Sequence, residues 1–246
     1  MQIMADTSAF PWTKAQLDAV LRKAIASYWT GRGGQSQRQG KLGAKDVGTR
    51  AEVTGGQHLN AVLALLVTVA KSAGFSESEI HLSRDLELPG YFRPQKRWDL
   101  VIVREQRLCA AIELKSQVGS FGNNFNNRSE EAIGSSTDFW TAYREGALGL
   151  QAPWLGFFFL LEQAEQSTRP VALKRGTFPA LPVFANTSYA QRYALLCERL
   201  LLERKYSAAT LVMAPRSQTG EYTEPNPQLS FAALAKSLHA HLVGCR

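Results

Sequence analysis

Asp99, Glu113 and Lys115 are the residues of this 246-residue chain whose types and spacing can do chemistry together. They interrupt the otherwise apolar stretch Trp98-Asp-Leu-Val-Ile-Val-Arg-Glu-Gln-Arg-Leu-Cys-Ala-Ala-Ile-Glu-Leu-Lys115. Residues 98–104 and 108–114 read as the two strands of a hairpin, with Glu105-Gln106-Arg107 as a three-residue loop. In that register residues whose numbers sum to 212 face each other, which sets Asp99 across from Glu113. Side chains alternate along a strand, so Glu113 and Lys115 share one face while Ile112 and Leu114 point into a core. Two carboxylates about 5 Å apart repel unless a cation lies between them, and Mg²⁺, which takes oxygen ligands, suits that place. Asp99, Glu113 and the Leu114 carbonyl are the expected ligands. The chemistry such a set performs is hydrolysis of a phosphodiester by in-line attack of water, with the cation neutralising the phosphate and helping to ionise a bound water. Lys115 would favour hydroxide and stabilise the charge that builds on the phosphorus.

An acidic-x-Lys triplet is common, and this chain holds a second one for comparison. Glu203-Arg204-Lys205 ends the amphipathic run Tyr189–Lys205, where Leu195, Leu196, Leu200, Leu201 and Leu202 supply an apolar face, so it reads as a solvated helix end. The first triplet differs in context: its charges lie within strands that look buried, where an unpaired carboxylate is costly.

The neighbouring segments carry the groups that a polyanion would need. Pro89–Arg97 is a loop punctuated by Pro and Gly that leads into Asp99, and its Arg93, Lys96 and Arg97 are placed to follow the phosphates beside a cut. Ser116–Arg128 reads as a turn-rich loop before a helix that starts at Ser129-Glu130-Glu131 and runs to about Arg144. Its Gln117, Asn123, Asn124, Asn126, Asn127 and Arg128 can form paired hydrogen bonds with base edges. Upstream, Glu52 is a candidate additional metal ligand, with Glu77, Glu79 and Glu87 as alternatives, and each is also explained as a surface carboxylate.

The Trp98-Asp-Leu strand, the Ile-Glu-Leu-Lys-Ser strand and the Asn-rich segment Gly119–Trp140 together resemble the XhoI family of type II restriction endonucleases, within the PD-(D/E)XK nuclease superfamily. The acidic-x-Lys hairpin is shared across that superfamily; the Asn-rich segment is the more specific part. The resemblance spans nearly the whole chain. It implies a homodimer that cuts both strands of double-stranded DNA at CTCGAG, leaving 5′ overhangs with 5′-phosphates, and a cognate methyltransferase acting on the same site. One departure is Trp98, which stands where the superfamily has Pro and is expected to contribute no chemistry.

Composition agrees. A chain with 45% hydrophobic residues can bury a sizeable core, and its 28 Lys and Arg against 21 Asp and Glu give a net charge of +7, which favours a polyanionic partner. The opening Met-Gln-Ile-Met-Ala-Asp-Thr has no basic stretch followed by an apolar core and so is not expected to act as a signal peptide, and the longest apolar runs are too short to span a bilayer. Cys109, Cys197 and Cys245 are odd in number and far apart, arguing against a disulfide framework or zinc site and for a reduced, cytoplasmic setting. His58, His81, His239 and His241 lack metal-ligand spacing.

The elements expected to position the site are a helix over Thr13–Trp29 capped by Thr13, a mobile basic loop over Gly31–Lys45, and a helix over Gln57–Lys71. After the hairpin come strands at Pro153–Leu161, Leu181–Phe184 and Thr210–Ala214, and a closing helix at Leu229–Val243. The whole reads as a single α/β domain over residues 1–246: a mixed central β-sheet flanked by helices, like a restriction endonuclease. Two other readings stay open: a repair or junction nuclease of the same superfamily, which would cut without a fixed short sequence, and a non-catalytic DNA-binding protein in which the hairpin charges form a structural ion pair.

Overall fold

A computed structural model describes residues 9–40, 59–174 and 176–245, with the side chains of residues 34–40 outside the description. The order is α1 (Lys14–Gly40), α2 (Asn60–Ser72), β1 (Ile80–His81), β2 (Glu87–Pro89), β3 (Gln95–Arg97), β4 (Leu100–Arg104), β5 (Arg107–Gln117), α3 (Phe121–Arg144), β6 (Trp154–Glu162), α4 (Glu165–Thr168), α5 (Tyr189–Leu202), β7 (Ala208–Ala214) and α6 (Phe231–Gly244).

Five strands form one sheet in the order β1-β4-β5-β6-β7, antiparallel up to β5 and parallel from β5 onward. Strands β6 and β7 are buried along their whole length, as their near-continuous apolar runs require. Alternation along β5 and β6 divides the core. Ile112, Leu114, Phe158 and Leu160 meet Leu21 and Ile25 of α1, Leu66 of α2 and Leu238 of α6. Ala111, Phe157 and Phe159 meet Phe139 of α3 and Tyr193 and Leu200 of α5. Thr13 caps α1 as expected: its hydroxyl accepts from the Gln16 amide at 3.2 Å while the Gln16 side chain accepts from the Thr13 amide at 2.8 Å.

The β4–β5 hairpin reaches the expected register by a different route. The turn has two residues, Glu105 and Gln106, both at positive φ (51° and 60°), and Arg104 pairs with Arg107. Continued unchanged, that turn would place every later pair one residue out and turn Glu113 away from Asp99. A register shift after Ile102 leaves Cys109 as an extra residue on β5, so that Ile102 pairs with Ala110 and Leu100 with Ile112. The bulge restores the pairing that puts Asp99 opposite Glu113.

Four further expectations are corrected. Residues 31–40 continue α1 as helix, while residues 41–45 lie outside the described residues. At the start of this stretch Arg32 lies over the Tyr28 ring of the preceding turn at 5.8 Å, a contact that helix spacing provides. Residues 121–128 are the first two turns of α3, because Phe121 is buried there and the Phe125 ring packs edge-on against Tyr193 at 5.1 Å. Residues 181–184 form a single helical turn, Pro182–Phe184, begun by its proline. The stretch read as a loop before Asp99 contains a two-stranded hairpin, β2–β3, with Leu88 opposite Lys96.

Glu79 and Arg104 tie the sheet edge to the turn after α2. Arg104 Nε reaches Glu79 Oε1 at 2.5 Å, its Nη2 donates to the Gly74 carbonyl at 2.8 Å, and its guanidinium covers the Phe75 ring at 3.7 Å. The Arg104 hydrogen bond pulls the Glu79 carboxyl down to about 2 from 4.5. A depressed carboxyl stabilises the folded protein above its unfolded pKa, and that contribution fades as pH falls from 4.5 towards 2. Glu79→Gln is expected to cost about 2 kcal/mol at pH 7 in urea unfolding, with the gap to wild type closing near pH 2; a gap independent of pH would contradict the assignment.

Candidate active site

The site lies where β3, β4 and β5 meet α3, through its Glu131, Asp138 and Phe139. Asp99, just before β4, is tied to the opposite strand twice: its amide donates to the Ile112 carbonyl at 3.1 Å, and its Oδ2 accepts from the Leu114 amide at 2.7 Å. Burial raises the Asp99 carboxyl above its ordinary value; the Leu114 amide opposes the rise and the Glu113 charge adds to it.

Glu113 is 3% exposed. Lys115 Nζ lies 2.7 Å from its Oε1 and Lys96 Nζ 2.8 Å from its Oε2. Burial works against ionisation of Glu113, but the two ammonium groups outweigh it and hold the carboxyl below its usual range. Burial likewise works against the Lys115 charge, and Glu113 outweighs it, so that ammonium is held above its ordinary value. Two carboxylates and two ammonium groups therefore share the site and balance in charge. Glu131, one side of α3, adds its field to Lys115 and forms an ion pair with Arg128 at 2.5 Å.

The donor set fits a hard divalent cation. The buried Glu113 Oε2 faces the Lys96 ammonium at 2.8 Å, so a cation that takes this oxygen would do so in place of the ammonium. Among the described residues no three Asp, Glu, His or Cys side chains converge. Two carboxylates with a main-chain carbonyl would leave Mg²⁺ several of its waters, as that ion prefers. Glu52 lies outside the described residues. The structure engages its alternatives elsewhere: Glu77 with Lys71, Glu79 with Arg104 and Glu87 with Arg97.

The three cations ahead of Asp99, expected along DNA phosphates, each have a partner inside the protein. Arg93 Nε meets Asp138 Oδ2 at 2.7 Å, Arg97 Nη1 meets Glu87 Oε1 at 3.1 Å, and Lys96 reaches Glu113. Gln117 is buried and its amide turns back to the Gly119 carbonyl at 2.5 Å. Asn123, Asn126 and Asn127 are exposed on one side of α3, Asn124 is half-buried, and half-buried Arg128 faces Glu131. At the start of α3, Gly119, Ser120, Asn123, Arg169, Tyr189 and Arg216 border a cleft of about 610 Å³.

Asp138 joins this arrangement from α3, a residue that spacing along the hairpin does not point to. Its Oδ1 accepts from the Tyr91 and Phe92 amides at 2.7 and 2.8 Å, and its Oδ2 from Arg93. Burial opposes its ionisation, but these donors prevail and keep the carboxyl below its ordinary value. The signal was present in the sequence: Asp138 falls on the α3 stripe that buries Ala132, Ser135, Phe139 and Ala142. The clamp also demands a glycine, since a Cβ on Gly90 would come within 2.6 Å of both the Arg93 carbonyl and Asp138 Oδ2. Nor is Trp98 chemically idle: its ring is buried against Phe139 at 5.3 Å and carries Lys96 Nζ 4.3 Å from its centre.

A hairpin bearing Asp and Glu-x-Lys, extended by parallel strands and covered by helices on both faces, is the restriction-endonuclease-like fold of the PD-(D/E)XK nucleases. The model of the family described as "Restriction endonuclease XhoI" matches residues 38–224. The type II restriction enzyme BstVI of Geobacillus stearothermophilus is 44% identical over 207 residues, 80% of this chain and 92% of that protein. XhoI of Xanthomonas vasicola is 41% identical over 193 residues, 77% of each, and AbrI of Azospirillum brasilense 44% over 158 residues, 63% of this chain and 71% of AbrI. No solved structure gives a significant match. The chain belongs to the XhoI family of type II restriction endonucleases, site-specific nucleases that act on double-stranded DNA and generally use divalent metal ions.

Removing the Asp138 carboxylate strands two amides and a guanidinium at once. Asp138→Ala is expected to cost about 2–4 kcal/mol in chemical unfolding. A change under about 0.5 kcal/mol, the range of an ordinary surface substitution, would show that the clamp is not made.

Proposed function

We propose that the whole chain is one nuclease domain that hydrolyses both strands of CTCGAG in double-stranded DNA with Mg²⁺, giving 5′ overhangs and 5′-phosphate ends. The observation that carries this reading is the convergence of Asp99, Glu113 and Lys115 at a buried, charge-balanced site. The target sequence comes from the family resemblance. So do the homodimer, which matches a two-fold symmetric target, and a methyltransferase acting on the same site.

Asp99, Glu113 and the Leu114 carbonyl would hold the cation, with Glu52 as a further candidate. Bound there, Mg²⁺ would supply Lewis-acid neutralisation of the scissile phosphate and acidify a coordinated water. The chain's own groups do the rest. The Leu114 amide fixes the Asp99 carboxylate, and Glu113 fixes the Lys115 ammonium beside the place of attack. Lys115, held charged by Glu113, stabilises negative charge on the reacting phosphate and orients the attacking water. Asn123, Asn126 and Asn127, exposed on the helix that follows the catalytic strand, are the best placed of the candidate base readers. Asn124, Arg128 and Gln117 would need side-chain movement to take part. No helix among the described residues is long and apolar enough to cross a membrane, and action on DNA suits a cytoplasmic setting.

The test pairs a plasmid carrying one CTCGAG with a matched plasmid lacking it, in Mg²⁺ or EDTA. Linear product from the first plasmid alone, in Mg²⁺ alone, is the expected result; cutting of both plasmids would overturn the specificity, and cutting of neither the activity. Asp99→Ala and Lys115→Ala should each lower the cleavage rate at least about 100-fold while leaving DNA binding within a few-fold. Near-wild-type cutting by either would remove that residue from the mechanism.

A further inference from the structure

Lys96 lies in the wrong place for a lysine that tracks phosphates. Its side chain is only 14% exposed, and its ammonium stands 2.8 Å from Glu113 Oε2, 3.1 Å from the Arg97 carbonyl and 4.3 Å from the centre of the Trp98 ring. Each contact has support behind it. The β2–β3 pairing sets Lys96 opposite Leu88, the Trp98 amide is bonded to the Leu86 carbonyl at 3.0 Å, and Asp138 clamps the loop that joins the two strands. An aromatic face in a partly dehydrated site favours a cation by more than it would in water. That makes sense of a tryptophan next to Asp99, where the superfamily has Pro.

The oxygen that Lys96 approaches at 2.8 Å belongs to the carboxylate read as a metal ligand. A monovalent ammonium and a divalent cation compete for it. Without the ammonium, Glu113 would share its buried charge with Lys115 alone, beside the like charge of Asp99.

We propose that Lys96 is the internal counter-cation of the catalytic carboxylates: it neutralises Glu113 in the metal-free protein and yields Oε2 when a divalent cation binds, and so sets the metal affinity. This rests on the reading of Asp99 and Glu113 as the metal-holding pair. Lys96 is then a positioning residue, and its replacement alters metal loading before any DNA is present.

The experiment titrates the full chain with MnCl₂ in metal-free buffer, without DNA, reading free Mn²⁺ by electron paramagnetic resonance. Asp99→Asn should weaken binding, whereas Lys96→Met and Lys96→Gln should each bind Mn²⁺ at least about tenfold more tightly than wild type. Lys96→Arg, which keeps the charge, should stay close to wild type. In EDTA the Met and Gln variants should unfold at a lower temperature than wild type and recover more of it when Mn²⁺ is added. Wild-type or weaker Mn²⁺ affinity in both neutral variants, with binding still dependent on Asp99, would overturn the role of Lys96 and leave the metal site standing. Equal binding by wild type and Asp99→Asn would overturn both.

Discussion

A carboxylate closed off from water must be matched by positive charge, and at Glu113 that requirement organises everything around it. Charges in a low-dielectric site attract far more strongly than in solvent, and one left unpaired is correspondingly costly. Glu113 meets the demand with Lys115 from its own strand and Lys96 from the neighbouring hairpin. The arrangement holds both carboxylate and ammonium ionised, the states in which one can hold a metal and the other can stabilise a phosphate. Stability of the metal-free fold and readiness for chemistry thus depend on the same pair of contacts.

The rest of the structure works to bring those charges together. The bulge at Cys109 corrects the register of a two-residue turn so that Asp99 faces Glu113. The parallel pairing of β5 with β6, Glu113 beside Phe157 and Lys115 beside Phe159, builds an apolar floor under the strand that carries the two charges. Above it, α3 contributes Asp138 to fix the loop that carries Arg93 and leads to Lys96, and places Glu131 within the field of Lys115. One helix therefore serves both the charged cluster, through its buried face, and the solvent side, through its exposed asparagines.

What could be read from the sequence follows the range over which its signals act. The hairpin, the sheet strands Trp154–Glu162 and Ala208–Ala214, and the Thr13 cap are governed by local alternation and by contacts three residues apart. The pairing of Asp99 with Glu113 was legible too, although the sequence gives no sign that a bulge rather than a third loop residue produces it. Where composition and tertiary contact disagree, composition misled. Asn-Asn-Phe-Asn-Asn reads as a turn, yet Phe121 and Phe125 have Tyr189 and Tyr193 to pack on and the segment coils into helix. The partners of Lys96, Arg93 and Trp98 come from sheet and helix packing, so the loop read as a phosphate track is instead folded onto the candidate site.

The most direct test of this account is anomalous diffraction from a crystal of the protein bound to a CTCGAG duplex and soaked in Mn²⁺. The account predicts a manganese peak within about 2–2.5 Å of oxygens of both Asp99 and Glu113, with the Lys96 ammonium drawn away from Glu113 Oε2. A peak held by other residues, or none at this pair while the DNA is cut in the crystal, would contradict it.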